Sequence, residues 1–319
     1  SIQADMPQMQ SRKKRVIDTQ AKGIAGLLRT QEVEVLWGRG RITPDQKLEV
    51  PSAEGQSTQL VWDKLILAVG SGIAPIPALP FDGRRIISSN DALELNEIPE
   101  SMVIVGGGVI GCEFATLFSH LGCKVHIVEG LDRLLPIPGV DAECSKLVQR
   151  EMKKRKIDIR LHQTAVSVEA GDHGVRVQTG PSPFAPEGKG GKAATLEAEK
   201  VLVCIGRRPN TQDLGLEHIG VSCDAKGWIK ADKGLQAAPK VYALGDVLGP
   251  ERVMLAHAAS YEGLVAAENA LGGTQIMDYG HIPGAIFTAP EVACAGLSED
   301  QAVAAGYEVQ TTSVLFRTL

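Results

Sequence analysis

Three glycines carry the most specific chemical signal in this sequence. Residues 102–105 form a short apolar run, and the sequence GGGVIG that follows places glycines at positions 106, 108 and 111. Gly106 permits a tight turn, Gly108 lets the backbone approach a pyrophosphate, and Gly111 lets the next helix pack closely on the strand. The helix N-terminus then offers unpaired N–H groups and a partial positive charge to phosphates. The pattern predicts a dinucleotide-binding turn between a strand and a helix.

A glutamate after the next strand-like segment indicates which dinucleotide this turn binds. Glu129 directly follows the segment KVHIV at 124–128. Its carboxylate can accept hydrogen bonds from a ribose 2′-hydroxyl and would repel a 2′-phosphate. The sequence therefore favours NAD over NADP. A glycine-rich turn that binds no ligand is the alternative.

The other residues that could do chemistry give weaker signals. Asp246 follows the strand-like segment at 241–245, and a carboxylate at a strand end is placed to orient a hydroxyl. Nothing near it indicates general acid–base chemistry, and an aspartate that caps the strand is the alternative. The six cysteines show neither a CxxC pair nor zinc-ligand spacing, so we expect buried thiols and no metal. Cys112 is interpreted as a small buried residue on the first turn of a helix.

The composition is that of an ordinary globular protein. The chain has 319 residues, which suggests about two domains, and 44% of them are hydrophobic. Its 33 basic and 38 acidic residues give a net charge of −5 without a strongly single-signed half, which excludes general nucleic-acid binding. No apolar run approaches the roughly 18 residues of a membrane span, and the polar opening is not a signal peptide. We therefore expect a cytoplasmic location.

The order of predicted elements is typical of an α/β fold. Only 4% of residues are aromatic, so the core must be built mainly from Val, Ile, Leu and Ala, which suits a buried sheet. We predict an exposed amphipathic helix near the start and a long helix from about Ala258, with a final strand after a short helix at the end. Early strands are predicted at 33–42, 47–50 and 63–69, a domain crossing at 70–83, and a hairpin tip at 181–192.

Several longer motifs carry a resemblance to a known family. They are GGGVIGCEFA (106–115), VEGLDRLLP (128–136), LAHAASYEG (255–263) and FTAPEVACAGLSEDQA (287–302). Together with segments that end in glycine near residues 70, 206 and 245, they resemble the flavoprotein pyridine nucleotide-disulfide oxidoreductases, and within these the dihydrolipoyl dehydrogenases. The motifs cover nearly the whole chain. The resemblance implies Rossmann-like FAD- and NAD(P)-binding three-layer ββα domains, followed by the start of an α+β dimerisation domain.

The resemblance also assigns segments and residues. It implies a partial FAD-binding domain at 1–84, an NAD-binding domain at 85–208, a second part of the FAD-binding domain at 209–280 and a truncated start of the dimerisation domain at 281–319. Glu113 is implied to be catalytic, near the flavin and paired with a lysine that is not identifiable here. The residues implied to bind FAD are Gly70, Gly245, Asp246, Ala256 and His257. Those implied to bind NAD are Gly106, Gly108, Gly111, Glu129 and Gly206.

The implied activity is oxidation of dihydrolipoamide through a redox disulfide and FAD, with reduction of NAD⁺. The implied partners are the lipoyl domain of a 2-oxoacid dehydrogenase complex and a second copy of the chain. The family's N-terminal GxGxxG and Cys-x4-Cys motifs and its C-terminal His–Glu base are not found here, and Ala258 and Ala289 replace a common lysine and histidine. We therefore expect a fragment that retains only nucleotide binding. A mercuric or glutathione reductase-like enzyme, a soluble transhydrogenase and a non-catalytic nucleotide-binding remnant are the alternatives.

Overall fold

The computed structural model describes residues 4–51 and 55–316. Within these ranges the chain forms six α-helices, eighteen strands and two short 3-10 helices at Leu216–Ile219 and Gly245–Leu248. The α-helices are α1 Met6–Thr30, α2 Ser89–Leu93, α3 Val109–His120, α4 Ala142–Lys154, α5 Ala256–Ala270 and α6 Glu299–Ala304. The strands are β1 Arg41–Ile42, β2 Leu48–Pro51, β3 Ser57–Leu60, β4 Leu65–Leu67, β5 Ser71–Ile73, β6 Ile86–Ile87, β7 Ser101–Val105, β8 Lys124–Val128, β9 Asp158–Arg160, β10 Gln163–Ala170, β11 Val175–Pro181, β12 Ala194–Ala198, β13 Lys200–Val203, β14 Arg207–Pro209, β15 Gln236–Ala238, β16 Val241–Ala243, β17 Gly284–Ile286 and β18 Val292–Cys294.

The chain divides into two compact units, each assembled from separate stretches of sequence. The first unit contains the residues up to Gln10, Pro75–Ile205 and the residues from Pro283 onward. The second unit contains Ser11–Ala74 and Gly206–Ile282. The four segments predicted from the sequence are a finer division than these two units and stay a prediction.

A five-stranded parallel sheet forms the centre of the first unit. Its order is β6-β13-β7-β8-β9, and every neighbouring pair runs parallel. Met102, Val103 and Ile104 of β7 are all 0% exposed, which explains why this strand is a continuous apolar run. The helices α3 and α4 cover one face of the sheet, and the antiparallel sheet β10-β11-β12 covers the other. The predicted α/β fold class with three-layer ββα packing is confirmed.

Two strands that are distant in sequence lie side by side in the second unit. β4 and β16 pair in parallel, with Leu67 opposite Ala243, and β15 extends this sheet antiparallel to β16. The buried face of α5 packs on the same sheet. Because β4 and β16 are parallel, the segments that begin at Gly70 and Gly245 leave the sheet at the same edge.

The longest helix of the described residues, α1, is exposed along most of its length. It spans 25 residues, and its apolar side chains Ile17, Ile24 and Leu27 are exposed, whereas Met6 at its start is buried. This confirms the exposed amphipathic helix predicted for the segment. Among the described helices, α1 included, none combines the length and the apolar character that a membrane crossing needs.

Two of the predicted strands differ from the structure. Of the strand predicted at 33–42, only Arg41–Ile42 forms one, as β1. Residues 33–37 show an alternating pattern but form no strand, and Val33, Val35 and Trp37 are exposed. Residues 307–315 at the end of the described chain also form no strand. An extended segment becomes a strand only when a neighbour takes up its backbone N–H and C=O groups. Within the described ranges, neither segment pairs with such a neighbour.

The packing of α3 on the parallel sheet allows a direct test of this core. Phe118 is 1% exposed and stacks against Phe114, with ring centroids 5.9 Å apart. Because Phe118→Ala leaves a cavity between helix and sheet, we expect the free energy of unfolding to fall by about 3–5 kcal/mol. Chemical denaturation followed by circular dichroism measures this change. Leu117→Ala is the matched control, since Leu117 is 43% exposed. Equal losses in the two variants would contradict the packing.

Candidate functional site

The glycine loop leaves the N-terminus of α3 open. β7 ends at Val105, and Gly106 turns the chain with a φ of +110°, which residues other than glycine rarely adopt. Gly108 is the N-cap residue of α3 and has no side chain that could cap the first N–H groups. A Cβ placed on Gly108 would meet no atom within 4 Å. The loop therefore places free helix N–H groups beside open space, as binding of an anionic group requires.

The side of the loop that faces the sheet is tightly packed. A Cβ on Gly111 would collide with the carbonyl oxygen of Gly106, so only glycine allows α3 to approach the loop this closely. Gly107, which sequence reasoning did not single out, is also confined. Its Cβ would lie 2.7 Å from Cδ2 of Leu134 and 3.1 Å from Oε2 of Glu129. The loop is thus fixed by steric contacts on one side and open on the other.

Glu129 binds the glycine loop directly. It follows β8 and is 8% exposed. Its Oε2 accepts a hydrogen bond from the Gly107 N–H at 2.5 Å, and its Oε1 accepts one from the Leu131 N–H at 2.8 Å. The carboxylate therefore anchors the loop to the strand end, a role that the sequence pattern did not indicate. Each carboxylate oxygen has a further lone pair for a ribose hydroxyl, and that contact stays a prediction.

Glu113 connects α3 to the hairpin formed by β17 and β18. Its Oε1 accepts a hydrogen bond from the backbone N–H of Phe287 at 2.9 Å. Phe287 directly follows β17, so the carboxylate fixes the hairpin against the helix. The resemblance implies that Glu113 is catalytic and lies near a flavin, and this role stays a prediction.

In the second unit, the ends of β4 and β16 bring Ser71 to Asp246. Ser71 Oγ donates a hydrogen bond to Asp246 Oδ2 at 2.6 Å. Arg207 Nε donates to Ser71 Oγ at 2.6 Å and lies 3.6 Å from the same carboxylate oxygen. Gly70 and Gly245, which precede Ser71 and Asp246, have φ values of +67° and +74°. The structure thus brings together three residues predicted to bind FAD and adds Ser71 and Arg207, which sequence reasoning missed.

The other predicted residues of this group lie at element boundaries. Ala256 and His257 are the first two residues of α5, and both are exposed. The N-cap residue Leu255 provides no side-chain cap, so the first N–H groups of α5 are not taken up by that residue. Gly206 has a φ of +87° and begins the stretch of the second unit that follows β13. The cofactor contacts assigned to these residues stay predictions.

A buried network beside Gly245 was not predicted from the sequence. Glu262 on α5 is 1% exposed, and its Oε2 accepts a hydrogen bond from the Gly245 N–H at 2.5 Å. Tyr279 Oη donates to Glu262 Oε1 at 2.5 Å, and Arg252 Nη1 donates to Tyr279 Oη at 3.0 Å. Burial and the neighbouring Glu262 carboxylate raise the pKa of Tyr279 to about 12, so its hydroxyl stays a donor at neutral pH. Glu262 therefore holds the turn that carries Asp246.

The spacing along α5 does contain a signal for this glutamate. Buried Ala258 and Ala266 lie four residues before and four residues after Glu262, on the same helix face. Glutamate is almost never fully buried unless it has a partner. A charged residue within a buried helical stripe therefore indicates a carboxylate with specific hydrogen-bond donors, although the pattern cannot name them.

Of the two thiols near the glycine loop, Cys112 is buried and Cys204 is partly exposed. Cys112 is 0% exposed on the first turn of α3, as predicted, and burial raises its pKa to about 12. Burial also raises the pKa of Cys204 to about 12. A thiol that stays protonated is a poor nucleophile and metal ligand. In the ranges that the structure describes, no group of three or more His, Cys, Asp or Glu side chains could hold a metal ion.

Comparison with known proteins relates these motifs to a family. The family model described as pyridine nucleotide-disulphide oxidoreductase matches residues 2–263, and the dimerisation domain of that family matches residues 282–319. Dihydrolipoyl dehydrogenase 3 of Pseudomonas aeruginosa is 37% identical over 309 residues, which are 97% of this chain and 64% of that protein. Dihydrolipoyl dehydrogenase of Bacillus subtilis is 37% identical over 303 residues, which are 95% of this chain and 63% of that protein.

Solved structures agree with this relationship. LpdA from Mycobacterium tuberculosis has a TM-score of 0.85 at 27% identity, and the match covers 95% of this chain and 65% of that one. The HOCl-induced flavoprotein disulfide reductase RclA from Escherichia coli has a TM-score of 0.80 at 25% identity, and the match covers 96% and 67%. The chain thus spans 63% to 64% of the length of the two curated relatives described above.

The buried network around Glu262 leads to a stability prediction. Glu262→Leu leaves the Gly245 N–H and the Tyr279 hydroxyl, both partly buried, without their acceptor, and each unsatisfied group of this kind costs about 1–3 kcal/mol. We therefore expect the free energy of unfolding to fall by about 2–5 kcal/mol, measured by urea denaturation. Glu268→Leu on the exposed side of α5 is the matched control and should change this value little. A Glu262→Leu protein as stable as the control would refute the anchoring role.

Proposed function

The chain belongs to the pyridine nucleotide-disulphide oxidoreductase family, and from this we propose that it forms the dinucleotide-binding part of a dihydrolipoyl dehydrogenase. The observation that carries the proposal is the open N-terminus of α3 at Gly108, with Glu129 at the adjoining strand end. Enzymes of this family use FAD and NAD(P). Similarity to dihydrolipoyl dehydrogenases over at least 95% of the chain supports the choice of activity.

The glycine loop fits NAD. We expect the first N–H groups of α3 to bind the pyrophosphate, because the space in front of Gly108 is open and its backbone can approach a ligand closely. Glu129 would accept a hydrogen bond from the ribose 2′-hydroxyl. A 2′-phosphate at this place would bring further negative charge to a poorly solvated carboxylate, which favours NAD over NADP. NAD, when bound, supplies the hydride acceptor.

The turn at Asp246 fits one part of an FAD site. Ser71 fixes one carboxylate oxygen of Asp246, and the side chain is 29% exposed, so it can still accept a hydrogen bond from a ribityl hydroxyl. By the family resemblance we propose that the start of α5, with Ala256 and His257, lies beside the flavin ring. Glu262 holds the backbone of the turn and does not need to contact the cofactor. FAD, when bound, supplies the electron carrier between thiol and nicotinamide.

For the whole protein we propose that dihydrolipoamide is oxidised and NAD⁺ is reduced. The proposed partners are the lipoyl domain of a 2-oxoacid dehydrogenase complex and a second copy of the chain, which the dimerisation-domain match at 282–319 supports. The cysteines of this sequence include no Cys-x4-Cys pair, so this chain does not itself contain a redox disulfide of that spacing. By itself the chain would bind nucleotides without completing the reaction.

Isothermal titration calorimetry with NADH tests the glycine loop. We expect the chain to bind NADH, and NADPH more weakly. In Gly108→Val we expect the NADH affinity to fall by at least about tenfold, because the side chain fills the space before the α3 N–H groups. The variant should still fold, since a Cβ at this position meets no atom within 4 Å and a valine N-cap costs only about 1 kcal/mol.

Gly263→Val provides the matched control for this experiment. Gly263 also faces open space, but it lies on α5 and away from the glycine loop in the sequence. Its variant should bind NADH as the unmodified chain does. Equal NADH affinity in the unmodified chain and in Gly108→Val would count against the glycine loop as the pyrophosphate site.

A turnover assay tests whether the chain alone can oxidise dihydrolipoamide and reduce NAD⁺. With dihydrolipoamide, NAD⁺ and added FAD, we expect no NADH formation above background, because desolvation raises the pKa of Cys112 and Cys204 to about 12 and no Cys-x4-Cys pair is present. NADH absorbance measures the rate, with an intact dihydrolipoyl dehydrogenase as the positive control. A rate comparable to that of the intact enzyme would show that another route for the electrons exists in this chain.

A further inference from the structure

The hairpin tip between β11 and β12 is a folded loop, here called the 182–192 loop. Two prolines, at 183 and 186, restrict its backbone. The Phe184 N–H donates to Ser182 Oγ at 3.2 Å, and the Ala185 N–H donates to Ser182 O at 3.1 Å. The Lys189 N–H donates to the carbonyl of residue 186 at 2.9 Å. The loop therefore consists of two successive turns with their own hydrogen bonds.

The backbone of His162 joins this loop to the segment that follows β8. Its carbonyl oxygen accepts hydrogen bonds from the N–H groups of Ser182, at 2.9 Å, and Gly191, at 3.1 Å. Its own N–H donates to the carbonyl oxygen of Leu131 at 3.0 Å. Both ends of the loop are thus attached next to the segment that begins with Glu129.

Phe184 comes close to the residue after Glu129. A Cβ placed on Gly130 would lie 3.0 Å from Ser182 Oγ and 3.5 Å from Cδ2 of the Phe184 ring. Glycine at this position therefore permits the close approach of the loop. The Phe184 side chain is nevertheless 74% exposed, so most of its ring is accessible. A large apolar ring is thus held at the end of β8 without being part of the core.

We propose that the ring of Phe184 stacks on the adenine of NAD. It would thereby form the side of the dinucleotide site next to the base, here called the base-side wall. This inference rests on the proposed contact between Glu129 and the ribose 2′-hydroxyl. In a nucleoside the base is attached to C1′, the carbon next to the one that carries the 2′-hydroxyl. A ribose held at Glu129 therefore places its base within a few ångströms of the neighbouring residues, where the Phe184 ring lies. Aromatic side chains and adenine stack through their faces, which requires no hydrogen-bond donor on the protein.

Calorimetric titration with three ligands tests the stacking. In Phe184→Ala we expect the affinities for NAD⁺ and ADP-ribose to fall by about tenfold, while the affinity for nicotinamide mononucleotide stays unchanged because it has no adenine. Phe184→Tyr keeps an aromatic face and should restore both affinities. Tyr307→Ala removes an exposed aromatic side chain elsewhere in the first unit and should leave all three unchanged.

The outcomes separate this inference from the function on which it rests. Binding of NAD⁺ that is equal in the unmodified chain and in Phe184→Ala would overturn the stacking and leave the proposed function intact. A matching loss in Lys189→Ala would show that the loop acts through charge, which also overturns it. If the folded, unmodified chain bound neither NAD⁺ nor ADP-ribose, the proposed function would fail and this inference with it.

Discussion

A hydrogen bond from a backbone N–H to a buried glutamate determines the shape of the turn at both candidate sites. Gly107 donates to Glu129 in the first unit, and Gly245 donates to Glu262 in the second, each at 2.5 Å. Hydrogen bonds to a carboxylate are roughly twice as strong as those between neutral groups, and a buried carboxylate without donors is strongly unfavourable. The turns that satisfy these carboxylates are therefore the stable ones. These two turns determine where helix α3 begins and where the side chain of Asp246 lies.

The two glutamates differ in what binds their second oxygen. In Glu129 it is the backbone N–H of Leu131, whereas in Glu262 it is the hydroxyl of Tyr279. Arg252 donates to that hydroxyl and also lies over the tyrosine ring, 5.3 Å from its centroid. Glu262 thus belongs to a side-chain network that leads from the buried face of α5 to the partly exposed Tyr279 and Arg252. Among the described residues, the donors to Glu129 are backbone N–H groups, and Glu129 lies beside the open end of α3, so it can serve a ligand as well as the loop.

The sequence was sufficient for the glycine loop because all of its signals are local. The apolar strand, the glycines and the apolar helix are contiguous, and each glycine has a steric or conformational reason that can be stated without the fold. The partners of Asp246 and Glu113 could not be predicted, because Ser71 and Phe287 are 175 and 174 residues away from them. Those contacts depend on which strands pair and where the hairpin packs. The same limit explains the wrong strand at 33–37, where the alternation is present and a pairing strand is not.

In the proposed dinucleotide site, selectivity among nucleotides would come from side chains, because the pyrophosphate proposed to bind the glycine loop is shared by many nucleotides. In the proposed site, the first N–H groups of α3 would bind a pyrophosphate through its charge and shape, and a pyrophosphate occurs in NAD, NADP and FAD alike. Glu129 can distinguish a hydroxyl from a phosphate at the 2′ position, but it also anchors Gly107, so changing it would disturb the loop as well. The backbone at both ends of the 182–192 loop is bound to His162 instead. If Phe184 stacks on the base as proposed, the 182–192 loop could change without altering the turn proposed to bind the pyrophosphate.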